Sequence, residues 1–176
     1  MNRKKSQEVA YGGMIAALYV ILTFVSSLAG LASGAIQVRL SEALTILPVF
    51  TEAAVPGLAM GCVLANILTG CAAWDVVFGS LATLIGAVGT RLLKKRPLLA
   101  WIPPVVSNAL IVPAVLMKVY GVEDVEVFGR VFTGESLRLM LMVTVGAGEI
   151  IGCGILGMIL YRALRDNPRL REPDQD

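Results

Sequence analysis

The sequence predicts an all-α integral membrane protein with six transmembrane helices and both termini in the cytoplasm. Composition, run length and charge asymmetry carry that prediction. Of 176 residues, 56% are hydrophobic and only 16% charged, with a mean hydropathy of +0.76. An average soluble domain is about half apolar and a quarter charged. Several apolar runs approach the roughly 20 residues that a helix needs to cross about 30 Å of hydrocarbon. These runs do not alternate as the strands of a β-barrel would, and Lys and Arg collect on one side of them.

The first span is expected over 9–31. It follows the basic string MNRKK (1–5), which resembles a signal peptide with LASGA (31–35) as a cleavage site. The run is longer than a signal core of about 7–15 residues, so an uncleaved span is the reading. It places Gly12 over Ala16 and Gly13 over Ala17, small residues four apart on which another helix can approach closely. The segment 33–41 and an apolar stretch over 42–55 come next. Pro48 interrupts that stretch, which predicts a short, bent or tilted helix.

A third span is expected over 56–70, opening on Pro56 and holding Asn66. Trp74 and Asp75 mark the next membrane edge, where tryptophan is favoured and aspartate can cap a helix. The fourth span, 76–93, has a small face of Gly79, Ala82, Gly86 and Gly89 and ends in a basic loop. The fifth, 98–120, contains Pro103, Pro104, Pro113 and Asn108 and is expected to be broken, which a membrane tolerates beside protein or a polar cavity. After the acidic interval 121–135, the sixth span covers 136–161, with Glu149 among five glycines.

With six spans, eleven Lys and Arg fall on one side and four (Arg39, Lys118, Arg130, Arg138) on the other. Positive charge marks the cytoplasmic side, so five spans, which would put the basic tail outside, fit less well. The chain divides into a basic N-terminus (1–8), one six-helix membrane domain (9–162) and a polar tail (163–176). Arg39, Glu42, Trp74 and Asp75 then lie on the outer side, above Asn66, Asn108 and Glu149.

Each of these residues has two readings. Glu149 lies inside a span, where a carboxylate must pair, protonate or meet a ligand; it either binds a solute or is structural, paired with Arg39 or buried as a neutral acid. Arg39 and Glu42 either form an ion pair at helical spacing or line a site. Asn108 and Asn66 either address a ligand or satisfy backbone and neighbouring helices. Trp74 is an interface anchor or a stacking surface.

Other chemistry is excluded. With no histidine and three cysteines (Cys62, Cys71, Cys153) that lack paired spacing, histidine-dependent catalysis, a zinc site and a disulfide framework drop out. No phosphate-binding loop, nucleophile with a base, or acidic cluster at metal-ligand spacing is present. No metal, cofactor or catalytic constellation is expected, and a net charge of +2 does not suggest a nucleic-acid partner.

The strings IQVRLSEAL (36–44) with Pro48, Pro56-Gly57, Asn66 and WDVVFGSLAT (74–83), extended by Asn108 and the Gly-x-Gly-Glu149 region, resemble the QueT family across nearly the whole membrane portion. The resemblance implies a substrate-binding (S) component of an energy-coupling-factor (ECF) transporter, a compact six-helix bundle in a prokaryotic plasma membrane. It would capture a 7-deazaguanine precursor of queuosine from outside. Its partners would be a transmembrane T subunit, docked on Gly12, Gly13, Ala16 and Ala17, and two cytoplasmic ATPases. Beside that reading, residue chemistry suits a guanine-like ring: Glu149, with Glu42 second, accepts its paired N–H groups. Asn108 and Asn66 address its carbonyl and ring nitrogen, Trp74 stacks on it, and Asp75 or Glu42 suits a cationic substituent. The competing function is a stand-alone carrier driven by protons through Glu149.

Overall fold

Among the described residues six stretches of helix follow one another along the chain, the second of them a narrow 3-10 helix. The structure, a computed structural model, describes residues 3–31, 36–127 and 129–167. The cleavage-like residues 32–35 and the tail arginines Arg169 and Arg171 lie outside the described residues.

Helix α1 (Arg3–Leu28) is 26 residues long, about 39 Å at 1.5 Å per residue. It packs on α2 (Ala54–Leu68) at a crossing made of small residues. A Cβ at Gly57 would lie 2.7 Å from the Gly12 carbonyl oxygen, and one at Gly61 2.7 Å from Tyr19 Cβ. Glycine at both places lets the two backbones touch.

Between them, Leu40–Val49 forms a ten-residue 3-10 helix, where a bent or tilted helix over 42–55 was expected. At about 2.0 Å per residue, ten residues cover about 20 Å, a third more than an α-helix would. The ring of Pro48 would clash with the carbonyl four residues back in an α-helix, and the Thr45 hydroxyl donates to the Glu42 carbonyl at 2.6 Å. Seven of the ten residues are buried.

Helix α3 (Ala73–Leu92) begins three residues before the expected start. Ala72 is its N-cap, so Asp75 sits in the first turn without capping it; a carboxylate there still complements the helix dipole. Helix α4 (Ile102–Lys118), preceded by a 3-10 turn Pro97–Leu99, is unbroken, against expectation. Pro103 and Pro104 occupy its first turn, where the missing N–H groups have no intrahelical partner anyway. Pro104 and Pro103 seat against Gly86 and Gly89 of α3, which gives the expected small face its partner.

The acidic interval folds into an antiparallel hairpin, β1 (Asp124–Val127) with β2 (Arg130–Thr133), pairing Asp124 with Thr133 and Val127 with Arg130. The chain then runs through α5 (Gly134–Glu149), a π-helical segment (Ile150–Leu156) and α6 (Gly157–Leu164).

Among the described residues, four helical stretches are long and apolar enough to cross a membrane: Lys5–Leu28, Ala73–Leu92, Pro97–Lys118 and Gly134–Leu164. Leu40–Val49 and Ala54–Leu68 are shorter apolar helices. Large apolar side chains such as Val77, Leu110, Val143 and Ile159 stand more than half exposed, as lipid-facing residues do, while backbone groups bond within helices. The chain is a multi-pass membrane protein.

Candidate functional site

The 36–44 segment lies against the last helix because that helix is stripped of side chains there. A Cβ at Gly148 would come 2.0 Å from the Gln37 carbonyl oxygen, and one at Gly152 3.1 Å from Glu42 Cβ. Residues four apart share a helix face, so the two glycines make one seat, and Glu149 sits beside it. The π-helical segment starts at the next residue, and such widenings concentrate at functional sites.

Seated this way, Glu42 turns inward and is 3% exposed. It accepts a hydrogen bond from the Tyr19 hydroxyl. The Cys153 thiol, one helical turn beyond Glu149, donates to Glu149 Oε2 at 3.1 Å and lies 3.8 Å from Glu42 Oε2. One ligand atom each from Glu42, Glu149 and Cys153 falls within 4.8 Å of the others. No acidic cluster at metal-ligand spacing was visible in the sequence; folding assembles this one from two distant elements. Two carboxylates so close repel, and a cation or a ligand edge rich in N–H groups relieves that repulsion. Asn108, 5% exposed, donates to the Pro104 carbonyl at 3.2 Å and interacts with Glu149 through its side chain.

One turn along α1 from Tyr19, Thr23 and Ser26 line a cavity of about 300 Å3, together with Arg39, Asn66, Asp75, Gln37, Cys71 and Tyr120; the carboxylates of the cluster are not part of that lining. Exposure grades along it. Gln37 and Tyr120 are open at the rim, while Thr23, Ser26 and Asn66 are buried at the floor. The floor is tied together: Thr23 donates to the Ser41 hydroxyl at 2.9 Å, and the Leu40 N–H donates to the Ser26 hydroxyl at 2.8 Å. Asn66 donates weakly to Cys62 Sγ at 3.6 Å. Arg39 lies within electrostatic reach of both Glu42 and Asp75. Its side chain forms no ion pair or hydrogen bond with another described residue, so neither the Arg39–Glu42 nor the Arg39–Glu149 pair is made.

The structure therefore divides the seven expected substrate residues. Glu149, Asn108 and Glu42 gather in the inner cluster; Arg39, Asn66 and Asp75 line the outer cavity. Trp74 joins neither: it is 60% exposed and stacks on Phe78. Tyr19, Cys153 and Tyr120 were missed. The stripe Tyr19, Thr23, Ser26 at helical spacing and the four-residue step from Glu149 to Cys153 were signals for the first two.

On the opposite end of α1, Gly12, Gly13, Ala16 and Ala17 line a groove of about 690 Å3 with Pro56, Gly57, Met60 and Leu64 of α2, and with Glu8 and Glu52. Gly12 and Ala16 also touch α2 directly, whereas a Cβ at Gly13 would meet nothing within 4 Å.

A protein of Lactococcus lactis subsp. cremoris (strain MG1363) named queuosine precursor transporter QueT is 35% identical over 86 residues, 48% of this chain. That alignment spans half of the relative's length (50%). No solved structure matches the chain. The profile of the QueT transporter family matches residues 9–166, nearly the whole described length, and the chain belongs to that family.

Proposed function

We propose that this chain is the substrate-capture subunit of an ATP-driven ECF-type importer and binds a 7-deazaguanine precursor of queuosine from outside the cell. The observation that carries the reading is a polar cavity whose wall residue Thr23 bonds to Ser41, the neighbour of Glu42, while Tyr19 one turn away on the same helix bonds to Glu42 of the carboxylate pair. A cavity of about 300 Å3 is at the small end of the range for ligand sites and suits a bicyclic heterocycle. The ring's adjacent N–H and amino groups point inward to Glu149, with Glu42 beside it; a carboxylate accepts two such donors at once. Asn66 and Arg39 serve the carbonyl side. Asp75 stands nearer the rim, where it suits a cationic substituent at the 7-position.

On this reading the six helical stretches each cross the membrane, both termini are cytoplasmic, and the cavity opens outward. The groove on α1 and α2 receives the T subunit, which links the chain to two cytoplasmic ATPases. The substrate named for the Lactococcus relative supports the ligand class.

Titration of the purified protein with 7-aminomethyl-7-deazaguanine, as wild type and as Glu149→Gln, tests the assignment. Loss of a charged acceptor for two hydrogen bonds is expected to weaken binding by about 10- to 100-fold. Unchanged affinity in the variant would remove Glu149 from the site. The Glu42–Glu149 pair also favours a second reading, a proton-driven carrier. Uptake that survives loss of the ATPases but stops with an uncoupler selects that alternative.

A further inference from the structure

A flat heterocycle needs a flat surface to lie on, because base–aromatic stacking contributes affinity that hydrogen bonds at the ring edge do not. Trp74 does not line the cavity and is already stacked, its ring 5.9 Å from that of Phe78. Among the described residues that line the cavity, Tyr120 is the one aromatic. It stands at the rim, 45% exposed, just past the last turn of α4.

Its hydroxyl is held at both lone pair and proton. It accepts from the Ala72 N–H at 3.1 Å and donates to Asp75 Oδ2 at 3.1 Å. Ala72 and Asp75 open α3, so one phenol ties the end of α4 to the start of α3 beside the cavity. Two hydrogen bonds fix the ring's position before any ligand arrives, which lowers the ordering cost of binding. The same donation orients the Asp75 carboxylate, the nearest negative charge at the rim.

We propose that Tyr120 is a ligand-binding residue, the stacking face for the heterocycle, and that its hydroxyl positions Asp75 for a cationic substituent. This rests on the deazaguanine reading above and adds a residue to it. The ring contributes the face and works with any deazaguanine. The hydroxyl contributes only where the ligand carries the charged arm.

The test uses full-length protein in detergent with two probes, 7-aminomethyl-7-deazaguanine and the neutral 7-cyano compound. Tyr120→Leu is expected to weaken both by about tenfold or more and to abolish the drop in near-ultraviolet absorbance that stacking produces at saturating ligand. Tyr120→Phe keeps the ring and is expected to weaken the aminomethyl ligand selectively. Trp74→Leu is expected to change neither affinity. If Tyr120→Leu does not fold, Tyr120→Trp decides: the fluorescence it adds over wild type must be quenched by bound ligand. Wild-type affinity or an intact absorbance change in Tyr120→Leu, or an unquenched Tyr120→Trp, overturns the assignment while the substrate reading stands. Equal loss of both ligands in Tyr120→Phe overturns the role of the hydroxyl. A wild-type protein that binds neither compound overturns the substrate reading, and this assignment with it.

Discussion

Gly148 has no room for a side chain. A methyl there would overlap the Gln37 carbonyl oxygen at 2.0 Å, and the contact is with backbone, which cannot rotate away. Gly148→Ala must push the 36–44 segment off the last helix and carry Glu42 with it. Overpacking of this kind costs about 1–3 kcal/mol, so the variant is expected to melt lower in detergent and to bind ligand more weakly. Thermal unfolding and ligand titration of the same preparation check both. Gly146→Ala is the control, since its Cβ would make only an ordinary contact, 3.7 Å from Ala109 Cβ. At this scale the sequence was readable where chemistry is costly. A carboxylate among glycines inside a span stands out, and so does a charged pair in an apolar stretch. Cys153 and Tyr19 stand out only by spacing, one turn from Glu149 and on a stripe with Thr23 and Ser26, because by residue type a thiol and an aromatic in a greasy helix look the same whether they pack or donate. Trp74 drew attention because tryptophan suits membrane edges and ligand faces alike; only the fold separates it from Tyr120.

Among the elements, the 3-10 helix carries the site and depends on its lower end. Arg91, at the end of α3, donates to the Pro48 carbonyl at 3.1 Å and to Glu52 at 2.8 Å. Its own side chain is 13% exposed, that of Glu52 77%. The nearby guanidinium holds the Glu52 carboxyl below the usual carboxylate range. A depressed folded value means the pair stabilises above the ordinary carboxylate range and loses its effect as pH falls through the lowered value. Because Glu52 is exposed, Glu52→Gln is expected to cost less than about 1 kcal/mol, and that small cost should vanish in acid. Arg91→Leu is expected to cost more, since the Pro48 carbonyl at the end of the 3-10 helix also loses its donor. Unfolding of the two variants between neutral and acid pH orders them; a larger loss in Glu52→Gln would contradict this ranking. Little of this was legible beforehand. Proline signals an interrupted helix but not a switch to 3-10 geometry, and two four-residue strands in an acidic interval carry too little pattern to be read. Two of the three prolines of α4, Pro103 and Pro104, sit in its first turn, where a proline does not break a helix, and the helix continues through the third, Pro113.

For the whole molecule, two features lie at opposite ends of α1: a polar cavity by its second half and an apolar groove by its first. Hydropathy and the spacing of basic residues made the membrane class plain, because lipid tolerates little except helices with satisfied backbones. The groove separates internal packing from docking on an outside partner. Gly12 and Ala16 press on α2, so enlarging either would damage the fold and a partner surface together. Gly13 faces open space, with nothing within 4 Å of an added Cβ, and it lines the groove. Gly13→Leu is therefore expected to leave the isolated chain folded and its affinity for 7-aminomethyl-7-deazaguanine within about twofold; leucine in place of glycine also favours the helix by close to 1 kcal/mol. If the groove receives the T subunit, the same leucine fills it, and copurification with the T subunit and ATPases is expected to fall at least about tenfold, the effect of 1.4 kcal/mol. ATP-dependent uptake should fall with it. Normal ligand binding with lost assembly separates capture from coupling in one substitution. Undiminished assembly would mean that the partner docks on another face, and that small residues on α1 serve only its crossing with α2.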